Sequence, residues 1–132
     1  MSNETMEVVF DHLSAIRRRD IDAVAALLDP AVVHQGYSED LICNGRDAVL
    51  KNMRGAMRRE LRGIEHLELV DAGDRVVVGL GGPDFESRPG LDERGQVFIV
   101  FTIRGGRILR MDDYLTRDEA MRAANATPAG WA

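Results

Sequence analysis

From residue 64 onward, the spacing of apolar residues changes from the helical period to the alternation typical of β-strands. The strand-like runs are 64–71, 74–80, 96–104 and 107–115. Turn signals follow the first and third of these runs, at Ala72-Gly73 and Gly105-Gly106, because glycine adopts the backbone conformations that tight turns require. The pattern predicts a four-stranded antiparallel meander in the second half of the chain.

The first half of the chain follows the helical period instead. The predicted elements there are a helix over 4–18, a second helix between Asp20 and Pro30, a strand over 31–36 and a long helix over about 46–62. Asp20 suits an N-cap, and Pro30 cannot continue a helix. Thr116, with Glu119 three residues later, predicts a short C-terminal helix. Helices followed by a meander indicate an α+β domain with the helices on one face of a curved sheet.

The length and charge of the chain narrow the classes of protein that fit. A chain of 132 residues with 45% apolar content suits one domain, which we expect over 1–132 with a core at about 6–124 and a loose tail at 125–132. The net charge of −5 argues against nucleic acid or an anionic membrane as partner, because both require a basic surface. No apolar run approaches the ~20 residues of a membrane-spanning helix. Because the N-terminus also lacks a signal-peptide pattern, we expect a cytoplasmic protein.

The run 97–103 is apolar at nearly every position, so both faces of that strand should avoid water. Three N-terminal helices cover only one face of a sheet. We therefore expect the outer sheet face to pack against a second copy of the chain, as a homodimer.

Two adjacent carboxylates, Asp112 and Asp113, interrupt the apolar alternation of the last strand. Because side chains alternate across a strand, one of the two must point inward. Burial of an unpartnered ionised carboxylate costs several kcal/mol, so such a residue is solvent-facing, paired or functional.

Other kinds of site have little support in the sequence. The three histidines, His12, His34 and His66, lack metal-binding spacing, and Cys43 is the only cysteine. The chain has no nucleophile elbow, and its glycines form no phosphate-binding or dinucleotide-binding motif. We expect neither a metal nor a cofactor.

The element order and three short segments carry a resemblance to a known family. The segments are Asp29-Pro30-Ala31-Val32-Val33-His34, Gly45-Arg46-Asp47-Ala48-Val49, and Gly106-Arg107-Ile108 with Asp113-Tyr114. The chain resembles the nuclear transport factor 2-like superfamily, and within it the SnoaL-like polyketide cyclase branch. The resemblance implies a cystatin-like cone, in which three N-terminal helices pack on a curved, mostly antiparallel sheet and enclose a pocket. Such folds host cyclases, isomerases, hydratases and binding modules, so the fold implies no single activity.

The resemblance also implies which side chains act. Where ketosteroid isomerase has a tyrosine and an aspartate base, this chain has His12 and Gln35, so steroid isomerase chemistry is not expected. Limonene epoxide hydrolase needs an Asp-Arg-Asp set, of which only the last aspartate is matched, by Asp113. SnoaL-like cyclases use a last-strand aspartate as acid/base and a histidine near the first strand. Asp113 and His34 fit those places.

An aspartate enclosed by apolar side chains can both give and take a proton, and histidine titrates near neutral pH. Together, Asp113 and His34 could move a proton on a carbon beside a ketone without a metal or cofactor. The expected substrate is a small hydrophobic molecule with a carbonyl group. The expected substrate-binding residues are Tyr37, Met53, Met57 and Phe98.

A second class of function remains open, because one acid and one histidine do not establish catalysis. The same fold could bind a small hydrophobic ligand without turnover, or serve as a dimerisation module. His34 could be a hydrogen-bonded structural residue, and Asp113 could pair with Arg46 or Arg110.

Overall fold

The computed structural model describes residues 2–58, 66–82 and 95–125. The helices are α1 (Ser2–Arg17), α2 (Ile21–Leu27), α3 (Arg46–Met57) and α4 (Arg117–Ala123). The strands are β1 (Leu28–Gln35), β2 (Ile42–Asn44), β3 (His66–Asp71), β4 (Arg75–Gly81), β5 (Gln96–Arg104) and β6 (Arg107–Tyr114). Three helices precede the meander and one follows it, which confirms the predicted α+β class.

Local signals in the sequence fix two of the helix starts. The Asp20 carboxylate accepts a hydrogen bond from the backbone N–H of Ala23 at 3.1 Å, at the start of α2. The Thr116 hydroxyl oxygen accepts one from the N–H of Glu119 at 3.3 Å, at the start of α4. Both predicted N-caps are therefore confirmed, and each stabilises its helix by about 1 kcal/mol. The predicted end of the long helix, which includes Leu61, lies outside the described residues.

The sheet has the strand order β2-β1-β6-β5-β4-β3. Strands β3 to β6 pair consecutively and antiparallel, which confirms the predicted meander. β1 lies beside β6 and runs parallel to it, and the short β2 pairs with β1 at the edge. The sequence pattern predicts β1 as a strand but not its place in the sheet, and it does not predict β2.

The helices α1, α2 and α3 pack on one face of the sheet, called here the inner face. The apolar side chains there form the larger core. Its fully buried members include Val9, Val24, Val49, Phe101 and Ile108. Burial of one such large side chain contributes about 1.5–3 kcal/mol. This core holds the first strand and the last strand in place beside each other.

The opposite face, called here the outer face, is covered in part by α4. Val77, Phe98 and Val100 pack there with Ala120 and Met121 of that helix. The homodimer is predicted on the premise that helices cover one face of the sheet only, and α4, which covers part of the outer face, corrects that premise. The two-faced apolar strand thus finds partners within the chain on both sides. The homodimer stays a prediction.

Across the described ranges, no helix combines the length and apolar character that crossing a membrane would require.

Candidate active site

The imidazole of His34 and the carboxylate of Asp113 meet on the inner face. Nε2 of His34 lies 3.0 Å from Oδ1 of Asp113, a hydrogen-bond distance, although 79 residues separate the two in sequence. Their side chains are 19% and 17% exposed. The pair is therefore mostly withdrawn from water but remains within reach of a small molecule.

The pairing of β1 with β6 brings these two residues together. In this parallel register, His34 is beside Met111, whose side chain belongs to the inner core. Asp113 is two residues further along β6 and so returns to the same face as Met111. The predicted partners Arg46 and Arg110 are not the groups that bind Asp113: its carboxylate pairs with His34.

The neighbouring carboxylate, Asp112, points to the outer face. Arg110 binds it twice, with Nη2 at 3.0 Å from Oδ1 and Nε at 3.1 Å from Oδ2. The expected division of the two aspartates between the faces is confirmed, and each has a basic partner on its own side.

The charge state of His34 follows from this environment. Burial alone would lower the pKa of His34, because it disfavours the charged imidazolium. The hydrogen bond to Asp113 and the negative charges of Asp113 and Asp112 outweigh burial, and together they raise the pKa of His34 above its usual value. The environment of the pair therefore favours the imidazolium form of His34.

An open depression of about 280 Å³ lies beside Asp113, at the ends of β1 and β6. Residues 35–39, 112–115 and Glu119 line it. Tyr37, a predicted substrate-binding residue, is among them and is 37% exposed. The structure thus places Tyr37 and Asp113 at one depression.

The other predicted substrate-binding residues lie elsewhere. Met53 and Met57 are on α3, half-buried against the inner core, and so share a side of the sheet with His34 and Asp113. Phe98 pairs with Tyr114 in the register of β5 and β6, and its ring packs in the outer cluster. The expectation that Phe98 adjoins Asp113 is therefore corrected. Ile99, which pairs directly with Asp113, occupies that position on the inner face.

The sequence pattern does not single out His12 as a site residue, although the structure buries it on the inner face. His12 is 1% exposed and packs edge-on against Phe101, with ring centroids 5.4 Å apart. Burial, and then the nearby charge of His34, lower the pKa of His12 to about 4. The signal was the spacing of Val8, His12 and Ala15, which puts this histidine on the buried stripe of α1.

Within residues 2–58, 66–82 and 95–125, no group of three or more His, Cys, Asp or Glu side chains is arranged to hold a metal ion. The titratable side chains on the described inner face include the imidazoles of His12 and His34 and the carboxylate of Asp113.

Solved structures share this fold. A candidate polyketide cyclase from Sinorhizobium meliloti is 25% identical, with a TM-score of 0.66 over 86% of this chain and 98% of the other. An NTF2-like protein from Burkholderia xenovorans is 17% identical, with a TM-score of 0.68 over 95% of this chain and 98% of the other. A candidate ketosteroid isomerase from Kribbella flavida is 16% identical, with a TM-score of 0.64 over 85% of this chain and 77% of the other.

A search of curated proteins finds no significant match. A profile of the SnoaL-like domain, by contrast, matches residues 9–111. The matched range includes His12 and His34 and ends two residues before Asp113. Since it spans most of the 132 residues, the chain belongs to the SnoaL-like family of the NTF2-like superfamily.

Proposed function

We propose that this protein is a small, cofactor-free acid/base enzyme of the cyclase, isomerase or dehydratase type. Its substrate is an apolar small molecule that carries a carbonyl group. The observation that carries the proposal is the hydrogen bond of 3.0 Å between His34 and Asp113, on the partly buried inner face. Neutral residues could make a purely structural contact with a smaller loss of free energy, because partial burial of two ionisable groups requires their desolvation.

The pair can move a proton in two directions. The Asp113 carboxylate takes a proton from the carbon next to the carbonyl, and the electrons of that C–H bond form an enolate. The His34 imidazolium gives its proton to the enolate oxygen, which yields a neutral enol. Reversal of both transfers, at the same or another carbon, returns the proton and restores both groups. General acid/base catalysis of this kind contributes about 10²–10⁴-fold to a rate.

The surroundings of the pair favour an apolar substrate. Ile99 and Met111 flank Asp113 and His34 on the sheet, and Met53 and Met57 pack on the same side from α3. Methionine and isoleucine side chains suit a hydrocarbon ring, and flexible methionines adapt to its shape. Tyr37, at the open depression beside Asp113, can offer a hydroxyl group to a polar substituent. A neighbour that is 25% identical is named as a candidate polyketide cyclase, which supports an enzymatic function on a small molecule.

Exchange of hydrogen for deuterium tests the proposal before the natural substrate is known. We expect the purified protein to accelerate loss of the α-proton NMR signal of 1-tetralone in D₂O. Asp113→Asn should reduce this acceleration roughly a hundredfold or more, because the amide cannot accept the proton. Thermal unfolding should show that the variant is folded.

Asp71→Asn is the matched control, since it neutralises a carboxylate at the far edge of the same sheet. The Asp71 carboxylate accepts a hydrogen bond from Gly73 N–H at 3.0 Å, and an asparagine oxygen can keep that bond. Exchange that continues at the wild-type rate in Asp113→Asn contradicts the catalytic role. Binding of 1-tetralone by the wild type without any exchange would favour the second function, a module that binds small hydrophobic ligands.

A further inference from the structure

Three carboxylates, called here the acidic stripe, run along the exposed side of α1. The members of the acidic stripe are Glu4, Glu7 and Asp11, and all three are exposed. Residues spaced at i, i+3 and i+7 lie on one side of a helix, because a helix has 3.6 residues per turn. The opposite side of α1 packs in the inner core through Val8 and Val9. The carboxylates therefore point away from the sheet.

Three cations with the same spacing, called here the basic stripe, run along α3. The members of the basic stripe are Lys51, Arg54 and Arg58, and all three are exposed. Val49 and Leu50 of the same helix are buried in the inner core. The basic stripe, like the acidic one, therefore points away from the sheet.

Neither stripe is neutralised within the described part of the chain. Across residues 2–58, 66–82 and 95–125, none of the six side chains forms an ion pair or a hydrogen bond. Like charges one turn apart on a helix repel each other, as Glu7 and Asp11 do in α1 and Arg54 and Arg58 do in α3. Opposite charges supplied from outside the chain would relieve both repulsions.

The two stripes match each other in length as well as in charge. In each stripe the charges rise along the helix by about 4.5 Å and then by about 6 Å. Two such helices side by side and running in the same direction place each carboxylate opposite a cation. When they run in opposite directions, the steps differ by about 1.5 Å, which these side chains can span.

We propose that a second copy of this chain docks on the layer of helices, so that the acidic stripe of each copy faces the basic stripe of the other. α2 packs against both α1 and α3, so both stripes belong to one layer. A two-fold axis makes every contact occur twice, so both stripes of both copies are neutralised. Phe10, which is 51% exposed and follows Glu7 by one turn, adds apolar area beside the charges. This surface is distinct from the outer face and does not depend on the proposed function.

The charge pattern favours a second copy over other anionic partners. A nucleic acid or an anionic membrane would attract the basic stripe, but it would repel the acidic stripe in the same layer and the net charge of −5. A second copy satisfies both stripes at once. Because single exposed ion pairs contribute little, the interface depends on their number and on the salt concentration.

Sedimentation velocity of the full chain at neutral pH tests the proposal. We expect a dimer whose dissociation constant rises about tenfold or more between about 50 mM and about 500 mM NaCl, because salt screens exposed charges. Reversal of one stripe puts like charges across the interface, so the dimer should be roughly tenfold weaker or more at the lower salt concentration. The two variants are Glu4→Lys with Glu7→Lys and Asp11→Lys, and Lys51→Glu with Arg54→Glu and Arg58→Glu.

Reversal of all six charges exchanges the stripes without changing the net charge of the chain. We expect this variant to dimerise as the wild type does, because each stripe again faces its opposite. Lysine and glutamate both favour exposed helical positions, and circular dichroism checks that the variants are folded. If a reversed variant is poorly folded, glutamine at the three basic positions removes the attraction without repulsion and should still weaken the dimer about threefold or more.

The matched control changes the net charge as much as reversal of the basic stripe does, but at exposed positions outside both stripes. Its substitutions are Arg104→Glu, Arg107→Glu and Arg122→Glu. We expect this control to dimerise as the wild type does.

Four results would overturn the proposal. The first is a wild type that stays monomeric at low salt. The second is a dimer that survives reversal of either stripe, since such a dimer uses another surface, for example the outer face. The third is a folded six-charge variant that stays monomeric, because the stripes then do not face each other. The fourth is binding of the monomer to anionic lipid vesicles through the basic stripe, which would assign that stripe to a membrane instead.

Discussion

Asp112 and Asp113 are neighbours in β6 and lie on opposite faces of the sheet, each with its own basic partner. Arg110 holds Asp112 on the outer face, and His34 holds Asp113 on the inner face. The outer pair joins residues two apart on one strand, and Arg110 is 44% exposed, so water screens that pair. The inner pair joins two strands that are distant in sequence but adjacent in the sheet, and the pair is less exposed. Of the two aspartates, Asp113 is thus the one in an environment suited to proton transfer.

The His34–Asp113 pair should stabilise the fold most at acidic pH. The pKa of His34 is raised above the 6.5 of the unfolded chain, so the folded state binds the proton more tightly. The resulting stability is fully present below about pH 6.5 and is lost as the pH rises through the folded-state pKa. Urea unfolding should show a larger difference between the wild type and His34→Gln near pH 6 than near pH 8.5. Equal differences at the two pH values would contradict this expectation.

Removal of the Asp113 charge should change the titration of His34. Burial alone lowers the pKa of His34, and its hydrogen bond and attraction to Asp113 act in the opposite direction. In Asp113→Asn, we therefore expect the pKa of His34 to fall below its wild-type value. An NMR titration of the His34 ring protons in the wild type and in the variant measures the change. An unchanged His34 titration would show that the hydrogen bond does not form in solution.

Acid should destabilise the protein through His12. Its pKa is lowered from 6.5 to about 4, so between these values the unfolded chain binds a proton that the folded chain does not. Stability is therefore lost as the pH falls from about 6.5 to about 4, by an amount on the order of 3 kcal/mol. His12→Phe has no imidazole at this position, so this variant should not show the loss of stability. Urea unfolding of both proteins near pH 7 and pH 4.5 compares them, and equal acid sensitivity would refute the prediction.

Gly79 tests side-chain packing on the outer face, and Gly55 in α3 serves as its control. A Cβ atom at Gly79 would lie 2.9 Å from Cε1 of Phe98, whereas a Cβ at Gly55 in α3 would have no atom within 4 Å. Gly79→Ala should destabilise the fold by about 1–3 kcal/mol, because the ring must move within a packed cluster. Gly55→Ala should stabilise it by up to about 1 kcal/mol through helix propensity. Thermal and urea unfolding measure both changes, and a stabilised Gly79→Ala would show that Phe98 does not pack there.

The homodimer is also open to a direct measurement. We expect size-exclusion chromatography with light scattering to give twice the 14.6 kDa mass of one chain at micromolar concentration. Because α4 covers part of the outer face, an interface there must use the sheet surface beyond that helix. A monomer over the whole concentration range would rule the prediction out.

Much of the secondary structure follows from the sequence through interactions between residues that are close together in the chain. Asp20 and Thr116 mark helix starts because their side chains bond nearby backbone N–H groups, and glycine pairs mark turns because of their backbone freedom. The opposite orientation of Asp112 and Asp113 also follows from strand geometry alone. Each of these inferences depends on residues only a few positions apart.

The composition of the site depended on contacts between distant residues. The residues of 97–103 are apolar at nearly every position, so alternation could not reveal which side chains faced inward. Phe98 and Ile99 are adjacent, and an error of one residue in the strand register exchanges them between the two faces of the sheet. Likewise, no local signal places β1 beside β6. That pairing follows from burial of the inner core by three helices, and it alone brings His34 to Asp113. The sequence by itself determined the helices, the meander and the two candidate groups, whereas only the tertiary structure decided their pairing, because packing free energy depends on surfaces assembled from the whole chain.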